Sequence, residues 1–157
     1  MTTHSAHPGS ATRPARHATF SVERVYEQPP ARVFAAWADP ATKARWFTEP
    51  GFRHELDFRP GGREITRGSR PGGPELTFAS AYHDIVPDQR IVYSSVLSEG
   101  ERVATVSITT VELVPEGEHT RLVLTEYGAF LDALEEPEWR ERGTRAWMEN
   151  LGAELGA

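Results

Sequence analysis

The stretch Val25-Tyr26-Glu27-Gln28-Pro29-Pro30-Ala31-Arg32-Val33-Phe34-Ala35-Ala36-Trp37 changes its period halfway along. Phe20, Val22 and Tyr26 fall on one side of an extended run over residues 18–27, with only Arg24 interrupting the alternation. That is the pattern of a half-buried strand. Beyond the prolines, Val33, Phe34, Trp37 and Ala38 recur at helical spacing. Pro29-Pro30 divides the two: a proline ends the strand, and its fixed φ suits the first turn of a helix. Asp39-Pro40 repeats the signal as a break and a new N-cap, so a second short helix is predicted over 41–46, closed by the apolar pair Trp46-Phe47.

Outward from this unit the chain reads as a meander. Pro60-Gly61-Gly62 and Pro71-Gly72-Gly73 bracket a strand over 63–70, flanked by strands over 52–59 and 75–86. Pro87-Asp88 turns into 90–97, Ser98-Glu99-Gly100-Glu101 into 102–114, and Pro115-Glu116-Gly117-Glu118 into 120–127. Seven strands joined almost throughout by short loops predict an antiparallel sheet. The last segment, 138–155, returns to a helical period. Its apolar stripe reads as Trp139, Gly143, Ala146, Trp147, Asn150, Leu151 and Leu155, with Glu138, Arg140, Glu141, Arg142 and Glu149 mostly opposite on a solvated face. Gly143 inside this helix costs about 1 kcal/mol relative to Ala. Either the helix approaches the sheet closely there or the position leaves room for a ligand.

Composition excludes more than it selects. The 157 residues contain no cysteine, which removes disulfides, iron–sulfur clusters and a Cys nucleophile. Of the 17 basic residues only Lys43 is a lysine, and it lies in a predicted helix rather than a glycine-rich loop. The formal charge of −6 argues against nucleic acid as a partner. Residues 1–17 hold no Asp or Glu and read as a disordered tail, leaving 18–157 as one domain. No stretch approaches the roughly 18 apolar residues of a membrane span, and no secretory signal opens the chain, so a cytoplasmic location is expected.

The order strand, two short helices, six-strand meander, long helix leaves a hollow between sheet and final helix. At this point the chain resembles the START-like (SRPBCC) superfamily, and within it the branch named after the C-terminal domain of the activator of the heat-shock protein 90 ATPase. The resemblance rests on the residue 25–37 stretch with Asp39-Pro40 and Trp46-Phe47, on Asp57-Phe58-Arg59-Pro60-Gly61-Gly62, on Ile85-Val86-Pro87-Asp88-Gln89-Arg90-Ile91-Val92-Tyr93, and on Thr120-Arg121-Leu122-Val123-Leu124-Thr125-Glu126. It implies an α+β helix-grip fold: a curved seven-stranded antiparallel sheet, two short helices after the first strand, and a long C-terminal helix. Many members carry a Gly-Trp pair entering that helix; here Gly143 is followed by Thr144, and Trp147 comes a turn later.

No site motif accompanies the fold. There is no HExxH, G-x-S-x-G, G-x-G-x-x-G or Walker pattern, and no metal or cofactor is expected. Glu126 shares parity with the inward Leu122 and Leu124. It is a pocket acid or base, or one half of an ion pair with an Arg from a neighbouring strand, or a rim residue near the strand's end. His83 is either a pocket group or a surface residue. Arg63, Arg67 and Arg70, with Arg59 nearby, read either as a face for an anionic partner or, in preference, as charges protecting an edge strand. The expected cavity lining is Trp37, Trp46, Phe58, Tyr82, Tyr93, Glu126, Phe130, Gly143 and Trp147, an apolar wall with few polar groups, as small-molecule pockets have. The partner expected first is therefore a small hydrophobic or amphipathic molecule. The resemblance also implies a co-chaperone-like module with a chaperone partner, or a polyketide cyclase-like enzyme using Glu126, Tyr82, Tyr93 and His83. A homodimer is expected slightly over a monomer.

Overall fold

Why the chain bends where it does is visible at its two proline breaks. In a computed structural model describing residues 13–156, β1 (Ala15–Tyr26) runs into α1 (Pro30–Ala38) through Pro29, and α2 (Pro40–Phe47) follows at once. The Asp39 carboxylate caps α2, accepting from the Thr42 amide at 2.9 Å and from its hydroxyl at 2.7 Å. Six further strands follow: β2 (Arg53–Leu56), β3 (Arg63–Ser69), β4 (Glu75–Val86), β5 (Arg90–Glu99), β6 (Arg102–Glu116) and β7 (His119–Leu131). The chain closes with α3 (Pro137–Gly156). All neighbours pair antiparallel in the order β1-β7-β6-β5-β4-β3-β2. The fold is α+β, of the helix-grip kind.

The strand bounds and the edge strand differ from the sequence reading. β2 ends at Leu56 and not at residue 59. β7 continues to Leu131, and β1 begins at Ala15 to pair with that extension, Ala15 opposite Leu131. Residues 15–17, read as tail, are therefore strand; residues 1–12 of the expected tail lie outside the described residues. The second difference concerns the arginines of β3. That strand is not an edge, because β2 pairs with it, His54 opposite Thr66. The edges are β1 and β2.

The loop before β3 shows why a glycine pair is needed there. Gly61 takes φ +83°, and a Cβ on Gly62 would lie 2.0 Å from the Asp57 carbonyl oxygen. The loop exchanges hydrogen bonds with Tyr82 on β4, at 2.8 and 3.0 Å, which fixes the β3–β4 end of the sheet.

α3 lies against β1 and the two short helices. The Tyr26 hydroxyl donates to the Met148 carbonyl at 2.8 Å, and Arg24 pairs with Glu149 at 3.0 Å. Arg45 on α2 pairs with Glu154 at 2.6 Å. The core between helix and sheet is built from Val22, Tyr26, Val33, Trp37, Ile91, Val111, Leu122, Leu124, Met148, Leu151 and Leu155. The buried stripe of α3 is Arg140, Thr144, Met148, Leu151 and Leu155. This corrects the stripe read from apolarity: Trp139, Gly143, Ala146 and Asn150 are exposed, and Arg140 points inward. The helix is turned by about one residue, roughly 100°: its inward face starts with Arg140, whose partner Glu126 waits on β7, and with Thr144, whose hydroxyl is satisfied by the Arg140 carbonyl one turn back.

Candidate functional site

Two charged clusters lie inside this framework. In α2, Lys43, Trp46 and Phe47 share the buried face. The Lys43 ammonium is 1 % exposed and meets Glu64 of β3, 2 % exposed, at 3.0 Å. Trp37, Trp46 and Phe47 surround it, their ring centres 4.8, 5.3 and 4.4 Å from Nζ. Glu64 also accepts from the Tyr82 hydroxyl and from His54 Nε2, both at 2.7 Å. Burial pushes the Glu64 carboxyl up, but the Lys43 charge and the hydrogen bonds from His54, Tyr82 and Lys43 outweigh it and hold it down at about 2. Burial pulls the Lys43 ammonium down, opposed by Glu64. Burial, joined by the Glu64 charge, raises the Tyr82 phenol.

The second cluster joins β7 to α3. Arg140, its side chain 4 % exposed, donates to Glu126 at 3.0 Å and through two nitrogens to Glu135, at 2.8 and 3.1 Å. Glu126 also accepts from Thr109 and Glu135 from Thr105. Burial works against the Arg140 charge, yet the two carboxylates raise its pKa further. Its guanidinium carbon lies 5.3 Å from the centre of Phe78 and 5.9 Å from that of Phe130.

Beside this second cluster a cleft of about 420 Å³ opens between the first half of α3 and the β3–β5 end of the sheet, closed on one side by the segment after α2. Phe47, Phe52, Phe78, Trp139 and Trp147 supply its rings, and Leu76, Leu97 and Leu134 its aliphatic wall. Phe47 and Trp147 stand 4.5 Å apart, centre to centre, and Phe78 is 6.1 Å from each. Arg140 and Glu135 form the inner end, while Arg70 and Glu49, paired at 2.7 Å, stand at the rim. The Thr66 hydroxyl in the same wall has no hydrogen-bond partner among the described residues.

Gly143 occupies the helix face between Trp139 and Trp147, four residues from each. A Cβ built there meets nothing within 4 Å, so close helix–sheet approach does not explain this glycine. Closer approach is seen at Gly152, where a Cβ would lie 3.4 Å from the Tyr26 ring.

Of the residues expected to line a cavity, Gly143 and Trp147 are in the cleft wall. Trp37, Trp46, Tyr82 and Tyr93 are buried core, with Phe58 packed against them; Phe58–Tyr82 and Tyr82–Tyr93 ring centres stand 5.1 and 5.7 Å apart. Phe130 and Glu126 sit behind the cleft, beside Arg140. Glu126 is half of an ion pair, but its arginine comes from the final helix and not from a strand. His83 follows Tyr82 at a register shift between β4 and β5 and bonds the Ser94 hydroxyl at 2.7 Å as an exposed group. Sequence reading missed the roles of Glu64, His54, Glu135 and Arg140. A signal existed for Lys43, which shares helical spacing with Trp46 and Phe47. Among the described residues no set of three His, Asp or Glu is placed to hold a metal, and no helix is long and apolar enough to cross a membrane.

A sheet gripping one long helix, with an aromatic cleft between them, defines a START-like domain. The model of the Activator of Hsp90 ATPase homolog 1-like protein family matches residues 27–156, and the chain belongs to that family. It is 48% identical to the protein Mll3558 from Rhizobium loti, covering 90% of this chain and 99% of that one, with a TM-score of 0.85. A putative uncharacterized protein from Rhizobium leguminosarum is 37% identical over 93% of this chain and 99% of its own, with a TM-score of 0.88. Protein CV1439 from Chromobacterium violaceum is 26% identical over 88% and 97%, with a TM-score of 0.76. No curated protein matches the sequence.

Proposed function

We propose that this protein binds a small hydrophobic or amphipathic molecule in the cleft between α3 and the β3–β5 end of the sheet, without performing chemistry on it. The observation that carries this reading is the α3 face Trp139–Gly143–Trp147: two indoles flank a glycine with open space above it. In a helix a glycine without a packing reason is a cost of about 1 kcal/mol, and a ligand seated over it supplies the reason. The cleft's size and its mainly apolar wall fit a small-molecule site.

The non-catalytic part rests on the polar groups. Glu126 is held by Thr109 and Arg140, Tyr82 donates to Glu64, and His83 is exposed and bonded to Ser94. These groups do not converge on one reacting position, as acid–base chemistry requires.

Titration with the neutral probe N-phenyl-1-naphthylamine tests the reading. Saturable fluorescence enhancement is expected in the natural protein, weakened about tenfold or more in Gly143→Leu, whose side chain fills the gap. Equal binding by both proteins, or no saturable binding, would count against it.

A protein-contact role stands second. It is favoured by Val106, Ile108 and Tyr127, which are exposed on β6 and β7, with Ile108 directly opposite Tyr127. Such a face suits a second copy of the chain or the chaperone partner that the family's name suggests. Light scattering of Tyr127→Arg beside the natural protein checks the first, and a chaperone pull-down checks the second.

A further inference from the structure

The charges around the cleft do not cancel. Arg70 is occupied by Glu49, at 2.7 and 3.2 Å. Arg140 faces two carboxylates, Glu126 and Glu135, so that cluster keeps one negative charge in excess. Glu99, in the cleft wall at the end of β5, has no cation within 4 Å among the described residues. Arg102, opposite Glu99 in the β5–β6 pairing, reaches Asp132 at 4.0 Å and does not pair with Glu99. An incoming anion would therefore meet an arginine fork already filled and a surplus of carboxylate. A cation would meet the reverse.

The rings point the same way. Phe47 and Phe78 already carry protein cations, Lys43 at 4.4 Å and Arg140 at 5.3 Å. Trp139, 55 % exposed, and Trp147 have none over them among the described residues. Indole is the aromatic face that attracts a cation most strongly, and here two indoles stand two helical turns apart with the Gly143 gap between them.

We infer that the cleft takes an organic cation, an ammonium group on an aromatic or aliphatic body, with the ammonium against the Trp139 and Trp147 indoles on the side of Glu99 and Glu135 and the body along the Leu76, Leu97 and Leu134 wall. This rests on the ligand-binding reading above and adds the sign of the ligand's charge.

The experiment is calorimetric titration with three probes of one shape: benzyltrimethylammonium, its uncharged isostere neopentylbenzene, and the anion phenylmethanesulfonate. The cation is expected to bind about tenfold more tightly than the neutral probe, with the anion weakest. Glu99→Gln should weaken the cation about threefold and leave the neutral probe unchanged. Glu99 lies at a strand end with no ion pair, so this variant also avoids disturbing the buried clusters. If the neutral probe or the anion binds as tightly as the cation, the inference is overturned while ligand binding stands. If Glu99→Gln leaves the cation's affinity unchanged, the assignment of its charge to this end of the cleft is overturned. If none of the three binds, and N-phenyl-1-naphthylamine does not either, both readings fall.

Discussion

The four tryptophans of this chain divide between two regions made from the same materials. Around Trp37 and Trp46, one cation, one carboxylate, a histidine, a tyrosine and several rings close on one another with no path outward. Around Trp139 and Trp147, a cation, two carboxylates and several rings leave a gap. The difference lies in stoichiometry and position. Glu64 accepts from three donors and is spent in doing so, 2 % exposed. Arg140 is shared between two acids, and one of them, Glu135, is 16 % exposed in the cleft wall. A buried ion pair that is complete fastens elements together; one that is unbalanced beside a cavity also sets the field a ligand meets.

The largest effects should come from the closed region. Lys43→Met leaves the Glu64 carboxylate buried without its cation and should cost about 3–5 kcal/mol in urea denaturation. The double variant Lys43→Met, Glu64→Gln should recover much of that loss, since no lone charge remains. A loss in Lys43→Met of under about 1 kcal/mol would mean that the pair does not fasten α2 to the sheet.

Acid provides an independent check on the same group. Glu64 is held at about 2 against an ordinary value near 4.5. Its contribution is therefore fully present above pH 4.5 and is lost as pH falls toward 2; over that window it amounts to about 3 kcal/mol. The stability gap between the natural protein and Glu64→Gln should stay level above pH 4.5 and narrow below it. A gap that does not change with pH would contradict the assignment.

Effects should be smaller on the cleft side. Arg140→Met strands Glu126 and should cost about 2–3 kcal/mol, because Glu135 is part-exposed and can turn to water. Smallest, and of opposite sign, is Gly143→Ala, which should raise stability by up to about 1 kcal/mol, since helix propensity improves and a Cβ meets nothing. A destabilised Gly143→Ala would show that the glycine has a packing role after all.

The fold was legible because its signals are local. Pro29-Pro30, Asp39-Pro40 and the glycine turns mark boundaries by backbone chemistry, and these elements begin within a residue or two of where the chain places them. The site was legible only in part, for a physical reason. Apolarity picks out the inward face of a helix when that face is apolar, and in α3 it begins with Arg140 and Thr144. Arg140 pairs with Glu126 on β7 and with Glu135 just before the helix, while Thr144 bonds back to the Arg140 carbonyl, and no apolar period announces these contacts. Trp139 drew the predicted stripe toward itself, although it stands at the cleft and not in the core. Gly143 held two meanings in the sequence, and only the empty space above it separates them. Lys43 was singled out as the sole lysine, but its burial depends on Glu64, which comes 21 residues later.

The two regions can be distinguished in one spectrum. The Trp46 indole N–H donates to the Ala36 carbonyl at 2.9 Å, and the Trp37 indole is buried beside Lys43, whereas Trp139 and Trp147 line the cleft. Indole N–H resonances assigned by single Trp→Phe variants and followed during titration with N-phenyl-1-naphthylamine therefore test the account directly. The signals of Trp139 and Trp147 should move together and saturate, while those of Trp37 and Trp46 stay in place. Saturable movement of Trp37 or Trp46 with Trp139 and Trp147 unmoved, or no movement at all, would contradict it.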